Sequence, residues 1–315
     1  MWPLREAPYG QRVRLAKVVQ LAVRADIEQA IALLRSGDDS AFEEALILLQ
    51  NTVFSFSMRV CGQREDAEDT MQEVLAKSLP FLPKFESPRA LVVWLYKVAK
   101  NRCLMSRRRS KFAPKEELSL EQLMPDRLEL EKLDGRGVNP EAFAIRSEEA
   151  GRLRSAIQRI PPQYRIVLVL RDMEGLTDEE VGEITGLRPG TVRVRLHRAR
   201  LFVRKEVMKW AGSGPSRAGR RQAVVAEQQR PARCKAMFAE LSEYLDEKLD
   251  DSLCDELEKH LDGCAPCKAF LASLKTTVEH CRNMPLEGPD RKKADELRGK
   301  LMRDYESLAA KNFSR

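Results

Sequence analysis

The stretch LTDEEVGEITGLRPGTVRVRLHRAR, residues 176–200, contains two helical patterns separated by a short turn. Thr177 is a favourable N-cap, and Glu180 three residues later completes the capping box that begins a helix. Gly186 can adopt the left-handed conformation that ends this helix, and Thr191 begins the next one. The spacing therefore predicts two helices joined by a turn.

The second of these helices has one apolar face and one basic face. Its apolar positions recur every three or four residues and should pack inward; they are Val192, Leu196, Ala199 and Val203. The basic side chains expected to remain outside are Arg193, Arg195, His197, Arg198 and Arg200. A basic helix presented by a short turn fits the major groove of DNA. The alternative is an ordinary helical hairpin with a solvated arginine face.

Helical periodicity continues over almost the entire chain, and no convincing run alternates as a β-strand would. The chain has 315 residues, enough for two or three small domains. Charged residues make up 33% of it and aromatic residues 6%, which suits helical domains with modest cores. The predicted fold class is all-α.

Changes in composition divide the chain into domains and connecting segments. Residues 113–145 are acidic and contain three prolines, and residues 211–230 are rich in Gly, Ser, Arg and Gln, so both are predicted to be flexible linkers. The predicted organisation is an N-terminal arm (1–25), a helical domain (26–112), the acidic linker (113–145), the helix-turn-helix domain (146–210), a second linker (211–230), a Cys/His domain (231–283) and a C-terminal helix (284–315).

The net charge of +7 is distributed unevenly along the chain. Residues 102–111 and 188–235 are basic, whereas residues 116–149 and 240–262 are largely acidic. Basic segments favour a polyanionic partner, and the interleaved acidic segments argue against a simple non-specific coat on DNA. No apolar run approaches the length of a membrane span and no signal-peptide pattern is visible. A cytoplasmic protein without a membrane partner is expected.

The last quarter of the chain holds five of the seven cysteines. His260, Cys264 and Cys267 have metal-ligand spacing, and Cys234 upstream is a plausible fourth ligand. Three thiolates and one imidazole suit tetrahedral Zn²⁺, whose role would be structural or regulatory. The alternative is four unliganded groups on ordinary helices. Cys254 and Cys281 lie outside the motif and are either spare thiols or redox partners of the ligands.

Two parts of the chain resemble the extracytoplasmic-function sigma factors of the sigma-70 family. Residues 170–206, LRDMEGLTDEEVGEITGLRPGTVRVRLHRARLFVRKE, look like the fourth-region DNA-binding domain. DIEQAIALLRSGDDSAFEEAL (26–46), REDAEDTMQEVLAKSLPFLPKFE (64–86) and ALVVWLYKVAKNRCLMSRRRSK (90–111) look like the second-region domain. Order, spacing and the intervening linker match over residues 26–210.

The resemblance implies roles for particular residues. The acidic stretch that matches the helix docking on the clamp coiled coil of RNA polymerase contains Asp66, Glu68, Asp69, Gln72 and Glu73. The matches to the loop and helix that bind the minus-ten element are Phe85 to Arg89, Trp94, Lys97, Asn101 and Arg102. The matches to the readers of the minus-thirty-five element are Arg193, Val194, His197 and Arg198. Val194 departs from the small polar residue usual there, so the base read by that position would differ. Trp94 and Tyr96 can also be interpreted as core, and for Trp94 this is the preferred interpretation.

Residues 234–274 are similar to the zinc-binding fold of anti-sigma factors. The matching ligands are Cys234, His260, Cys264 and Cys267. Because this domain is tethered to the sigma domains, a modest intrinsic affinity would suffice for an intramolecular contact that occludes either of them. The opposite effect, in which the domain is needed for activity, is equally consistent with physical principles.

The leading interpretation is a sigma factor that binds core RNA polymerase and promoter DNA, with the fused domain responding to metal or redox state. A helix-turn-helix repressor or activator with a metal-sensing domain is the alternative, and it predicts tight operator binding without polymerase. A sensor acting through protein contacts alone is a third class, against which the basic helix argues. An enzyme is not expected, because a Cys₃His zinc site leaves no open coordination position.

Overall fold

The computed structural model describes residues 13–36, 38–108, 117–124, 147–211, 232–285 and 287–313. All regular structure in these ranges is helical, which confirms the all-α prediction. The chain forms two compact units: Met1–Pro114 with Val169–Arg188 and Arg282–Arg315, and Lys115–Leu168 with Pro189–Cys281. Within the described ranges, no helix is both long and apolar enough to cross a bilayer. Residues 1–12 of the arm and most of both predicted linkers lie outside these ranges.

The first unit begins with α1 (Val13–Ser36), α2 (Asp39–Cys61), α3 (Arg64–Ser78) and α4 (Pro88–Arg108). α2 is the central helix of the four and contacts the other three. The side chain of Asp38 caps its N-terminus by accepting a hydrogen bond from the Ala41 amide. Gly62 ends it with a φ of 80°, a conformation that glycine adopts at little cost. These local signals fix where α2 starts and stops.

The core of this bundle lies between α2 and α4. Phe56 stacks on Tyr96 with ring centroids 4.4 Å apart, and both rings are fully buried, so the core interpretation of Tyr96 is confirmed. A disulfide between Cys61 and Cys103 also joins α2 to α4, with the two Cα atoms 5.5 Å apart. Neither cysteine belongs to the C-terminal cluster, and their spacing gave no sign of the pairing.

Residues 169–188 belong to the same unit. A π-helical turn, Val169–Met173, precedes α8 (Asp178–Thr185). Between Thr177 and Glu180 each side chain accepts a hydrogen bond from the other residue's backbone amide, so the predicted capping box is present. α8 ends at Gly186 with a φ of 77°, as the sequence predicts. The first predicted helix of the pair is therefore confirmed.

The second unit contains seven helices in its described part, with α9 at the centre and in contact with α5, α6, α7 and α10. They are α5 (Leu120–Leu123), α6 (Ser147–Arg159), α7 (Pro162–Leu168), α9 (Pro189–Ala211), α10 (Ala232–Leu245), α11 (Asp251–Gly263) and α12 (Ala265–Arg282). The predicted start of α9 at Thr191 is two residues late. Proline is tolerated in the first turn because its missing amide would have no helical partner there.

The apolar face of α9 is buried as predicted, since Val192, Leu196, Ala199 and Val203 are at most 1% exposed. Part of the predicted acidic linker packs on this helix. Lys205 donates a hydrogen bond to the carbonyl of Gln122 at 2.7 Å, and the Leu118 amide donates to the Tyr164 hydroxyl at 3.3 Å. Residues 117–124 are therefore folded, although their composition predicted a flexible segment.

The Cys/His segment has a small core of its own. Phe238 and Phe270 meet edge to face, with ring centroids 4.8 Å apart, and both are fully buried. Leu241, Leu257 and Leu261 are buried with them. Among the buried side chains of this segment, the two aromatic rings are the largest.

The chain closes with α13 (Arg291–Phe313), which belongs to the first unit and packs on α2 and α3. Tyr305 stacks on Phe42 with ring centroids 3.9 Å apart. Gln50 donates a buried hydrogen bond to the carbonyl of Ala294 at 2.9 Å. The predicted C-terminal helix is thus an integral part of the bundle formed by α1 to α4.

Gly182 lies where α8 approaches the turn that follows it. A Cβ atom at this position would lie 2.7 Å from the carbonyl oxygen of Leu187, closer than real Cβ contacts come. Glycine inside a helix costs about 1 kcal/mol relative to alanine. The close approach explains why glycine stands here.

We expect Gly182→Ala to lower the free energy of unfolding by about 1–2 kcal/mol, because overpacking outweighs the gain in helix propensity. Gly151→Ala is the matched control, since a Cβ there meets nothing within 4 Å on an exposed part of α6. Urea unfolding of both variants checks this. A Gly182→Ala chain as stable as the control would contradict the expectation.

Candidate functional site

The basic face of α9 is covered by α10. Arg200 makes a two-pronged ion pair with Asp246, with nitrogen–oxygen distances of 2.8 and 3.0 Å. Arg193 lies 3.0 Å from a carboxylate oxygen of Glu243. Both arginines therefore meet carboxylates on the face that the sequence predicts to bind DNA. An arginine fork binds a carboxylate and a guanine edge with the same donors.

The expectation that every basic residue of α9 stays outside is wrong at two positions. His197 is 6% exposed and Arg200 is 1% exposed. Periodicity identified the face correctly, but it does not reveal that another helix of the same chain packs there. Arg193, Arg195 and Arg198 remain partly exposed, and Val194 is 51% exposed.

A second helix of the Cys/His segment, α12, also contacts α9. The Arg204 guanidinium lies 3.7 Å from the centre of the Phe270 ring, a cation–π contact. Its Nε donates a 2.6 Å hydrogen bond to the Ser273 hydroxyl. Because Arg204 is 5% exposed, this contact is desolvated. α9 is therefore held by groups from both α10 and α12.

His197 is the titratable group at the centre of this contact. Its Nδ1 lies 2.8 Å from the Ser242 hydroxyl, and its Nε2 is buried without a hydrogen-bond partner among the described residues. Burial, together with the charges of Arg200 and Arg198, lowers the pKa of His197 from 6.5 to about 4. The imidazole is therefore neutral at pH 7.

The residues predicted to dock on polymerase lie on α3 and differ in exposure. Asp69 and Gln72 are exposed, Asp66 and Glu73 are half-buried, and Glu68 is buried. Lys293 of α13 pairs with Glu68, and Arg298 lies 2.8 Å from Glu43 on α2. α13 thus covers one edge of the acidic surface.

The minus-ten candidates lie at the start of α4 and along it. Phe85 and Phe81 lie 6.0 and 6.3 Å from Trp94 between ring centroids. Phe81 is 48% exposed and Trp94 is half-buried, so the three rings form a surface cluster. Lys97 and Asn101 are exposed. The core interpretation of Trp94 holds only in part.

Arg102, another minus-ten candidate, pairs with Glu73, a polymerase-docking candidate, at 2.8 Å. Lys77 also pairs with Glu73, at 2.6 Å. The hydrogen bond from Lys77 and the charge of Arg102 hold the pKa of Glu73 below its usual value. The predicted polymerase-binding surface and the predicted minus-ten surface therefore meet at the carboxylate of Glu73.

The other cations of α4 contact α8. Arg89 pairs with Glu183 and lies 3.5 Å from Glu180. Lys100 donates a hydrogen bond to the carbonyl of Ile184 at 2.7 Å. Burial and the charge of Lys97 lower the pKa of Lys100.

A buried ion pair lies beside this contact. Arg59 and Glu174 approach to 2.6 Å, with side chains 4% and 2% exposed. The Tyr96 hydroxyl donates to the other oxygen of Glu174 at 2.7 Å. Burial, followed by the charge of Glu174, raises the pKa of Tyr96 well above its usual value. The sequence gives no sign of these partners of Glu174.

His260, Cys264 and Cys267 converge at the junction of α11 and α12. Their ligand atoms all lie within 4.8 Å of one another, and Nε2 of His260 lies 3.3 Å from Sγ of Cys267. Tetrahedral zinc, with bonds of about 2.0–2.3 Å, brings donor atoms about 3.3–3.8 Å apart, so this donor set fits. Cys234 belongs to α10, but its side chain lies outside the described residues.

Cys254 lies on α11, outside this cluster. Burial and the neighbouring carboxylates of Glu258 and Asp251 raise the pKa of its thiol. A raised pKa disfavours the thiolate, which is the form that binds metal and exchanges disulfides. Cys281 is 1% exposed.

Comparison with known proteins gives three family matches in the order that the sequence predicts. Sigma-70 region 2 matches residues 48–112, Sigma-70 region 4 matches residues 150–203, and a putative zinc-finger family matches residues 234–268. The ECF RNA polymerase sigma factor SigW of Bacillus subtilis is 29% identical over 182 residues, which are 58% of this chain and 96% of that protein. The chain is similar to the extracytoplasmic-function sigma factors.

Two further proteins similar to this chain differ in coverage. The ECF RNA polymerase sigma factor SigE of Mycolicibacterium smegmatis is 30% identical over 178 residues, 55% of this chain and 65% of that protein. The sigma factor RpoE of Bartonella quintana, solved with the anti-sigma factor NepR, is 19% identical. That match covers 53% of this chain and 96% of the other, with a TM-score of 0.39, too low to bear on the fold.

We expect acidification to destabilise the second unit of the chain through His197. Its pKa is lowered in the fold, so the contribution to stability is complete above pH 6.5 and is lost as the pH falls toward 4. Between pH 7 and pH 5 the loss is about 2 kcal/mol. Urea unfolding at both pH values measures it. His197→Gln is the control, and equal pH dependence in both chains would contradict the expectation.

Proposed function

We propose that this chain is a self-inhibited sigma factor of the cytoplasm. Region 4 recognises the minus-thirty-five element and region 2 melts the minus-ten element on core RNA polymerase. The C-terminal zinc-binding segment covers α9 until a change of metal or redox state releases it. The observation that carries the proposal is the pairing of Arg200 and Arg193 with Asp246 and Glu243.

The pairing supports inhibition because the donors of one arginine fork cannot serve a carboxylate and a base edge together. Asp246 takes two donors of Arg200, and Glu243 takes the Nε of Arg193. Promoter DNA would have to displace both carboxylates. A buried pair roughly balances its Coulomb attraction against its loss of hydration, so such a contact can be exchanged for another.

The C-terminal helix supports the same proposal at the polymerase-binding surface. Lys293 pairs with Glu68, which is buried on α3, and Tyr305 stacks on Phe42 of α2. A clamp helix approaching Glu68 would meet α13 first. The two ends of the C-terminal region thus contact the two predicted binding surfaces of the sigma regions.

Zinc would couple this inhibition to a signal. His260, Cys264 and Cys267, with Cys234 of α10 as the fourth ligand, would hold the ion in a closed structural site. Metal binding supplies folding free energy to a small domain whose core is limited. α10 carries Cys234 and Glu243, and Asp246 directly follows its last residue, so loss of the ion would loosen these contacts with α9.

We expect about one zinc ion per purified chain and a clear loss of zinc in Cys264→Ser, because a three-donor site binds zinc more weakly. Cys254→Ser is the matched control, a thiol on α11 outside the cluster. Elemental analysis by mass spectrometry measures the content. Equal zinc in the two variants, or none in the parent chain, would contradict the assignment.

We expect a chain ending at Gln229 to direct run-off transcription with core polymerase, while the full chain is at least about tenfold weaker, since tethering keeps the cover in place. Core alone is the control, and promoters come from a selected fragment library. Asp246→Asn in the full chain should restore part of the activity. Asp255→Asn, an exposed carboxylate on α11, should not.

The same assay separates the alternatives. Activity only in the full chain would make the C-terminal segment an activator. A chain that binds DNA tightly without polymerase and never initiates would replace the sigma function with that of a helix-turn-helix repressor or activator.

A further inference from the structure

We infer that α8 occupies the DNA-facing side of α4 as an internal substitute for the promoter strand, and that Glu174 holds it there. The inference rests on the proposed function, because that function gives α4 its minus-ten role. It concerns a contact made by residues 174–184, which no part of the zinc-finger segment supplies.

Two cations on one side of α4 are already engaged. Arg89 and Lys100 are eleven residues apart, close to three helical turns, so they project from nearly the same face about 16 Å apart. Arg89 pairs with Glu183 and lies near Glu180, and Lys100 donates to the Ile184 carbonyl. These are the donors that a DNA backbone would use on this face.

α8 presents its acceptors in a row that suits this purpose. Glu180 and Glu183 are three residues apart and so lie on one side of the helix. The Ile184 carbonyl belongs to the last turn, where the helix dipole is negative. Together they give α4 a line of negative groups, as the phosphates of a nucleic-acid strand would.

Glu174 gives the contact its fixed position. The Arg89 pairs are solvent-exposed, with the Arg89 side chain 56% and that of Glu183 49% exposed, and exposed pairs hold weakly. Glu174 is instead buried between Arg59 and Tyr96 and bonded to both. Removing its charge would leave the Arg59 guanidinium buried without its carboxylate, which is strongly unfavourable.

The burial of the Arg59–Glu174 pair also allows α8 to separate from α4. When α8 leaves, Arg59 and Glu174 both return to water and regain their hydration, so separating an intact pair is far less unfavourable than breaking it by mutation. DNA phosphates then supply new acceptors for Arg89 and Lys100. α8 and the promoter strand therefore compete for one surface, independently of the metal state of the C-terminal segment.

The test uses the full chain and a fluorescein-labelled single-stranded DNA of twelve random nucleotides at low salt. We expect Glu174→Gln to bind it at least about tenfold more tightly than the parent, since α8 loses the group that holds it on α4, and Glu183→Gln about threefold, since it removes an acceptor that competes with phosphate. Glu179→Gln is the matched control. It removes the same charge from an exposed position of the same helix and should stay within about twofold.

A second measurement needs no DNA. Acetylation of lysines, followed by mass spectrometry, should modify Lys100 several-fold faster in Glu174→Gln and Glu183→Gln than in the parent. Lys97, exposed in the parent, is the internal reference. If Glu174→Gln unfolds the chain, the half-buried Lys100, Lys205 and Lys275 all react faster together. Glu183→Gln then decides, because an exposed substitution leaves the fold intact.

The outcomes separate this inference from the proposed function. Unchanged DNA affinity together with unchanged Lys100 reactivity in Glu183→Gln overturns the inference, even if the chain ending at Gln229 initiates transcription. Failure of that chain to initiate overturns the proposed function instead. Faster acetylation of Lys100 with tighter DNA binding supports the competition between α8 and DNA.

Discussion

The pairing of Arg200 with Asp246 is the interaction on which the arrangement of the second unit depends. A guanidinium that is 1% exposed must have a charged partner, because an unpaired charge in that environment is strongly destabilising. Asp246 supplies it with two hydrogen bonds. On the same helix, the neutral His197 lies beside the Ser242 hydroxyl and Arg204 packs on the ring of Phe270, so the predicted DNA-binding face becomes partly an internal interface.

In each unit, charged side chains on a predicted binding face pair with opposite charges from another helix. In the second unit, carboxylates of α10 meet the arginines of α9, and in the first, α8 meets the cations of α4. The charges are reversed at Glu68, where the predicted binding surface supplies the carboxylate and Lys293 of α13 supplies the cation. Those ion pairs that are exposed to solvent will weaken as salt is added, whereas the buried Arg59–Glu174 and Arg200–Asp246 pairs are screened much less.

Local signals in the sequence were sufficient for much of the fold. The capping box of Thr177, the left-handed Gly186 and the apolar spacing of α9 act within a few residues of one another, so the sequence shows them directly. The burial of His197 and Glu174 depends on residues 45 and 78 positions away, which periodicity cannot detect. The sequence shows that basic and acidic segments alternate, but it does not show which acidic segment pairs with which basic one in the fold. The Cys/His spacing located three donors of the metal site because they lie within one helical junction.

The presence of α10 and α9 in one polypeptide has a consequence for gene dosage. A separate inhibitor can be outnumbered when its target is overproduced, whereas here every copy of the recognition helix is made with its own cover. Raising the expression of this gene therefore leaves the fraction of covered molecules unchanged, since the effective local concentration is set by the connecting residues. Cells that carry it would have to tune transcription by altering the contact itself, and not by altering the ratio of two gene products.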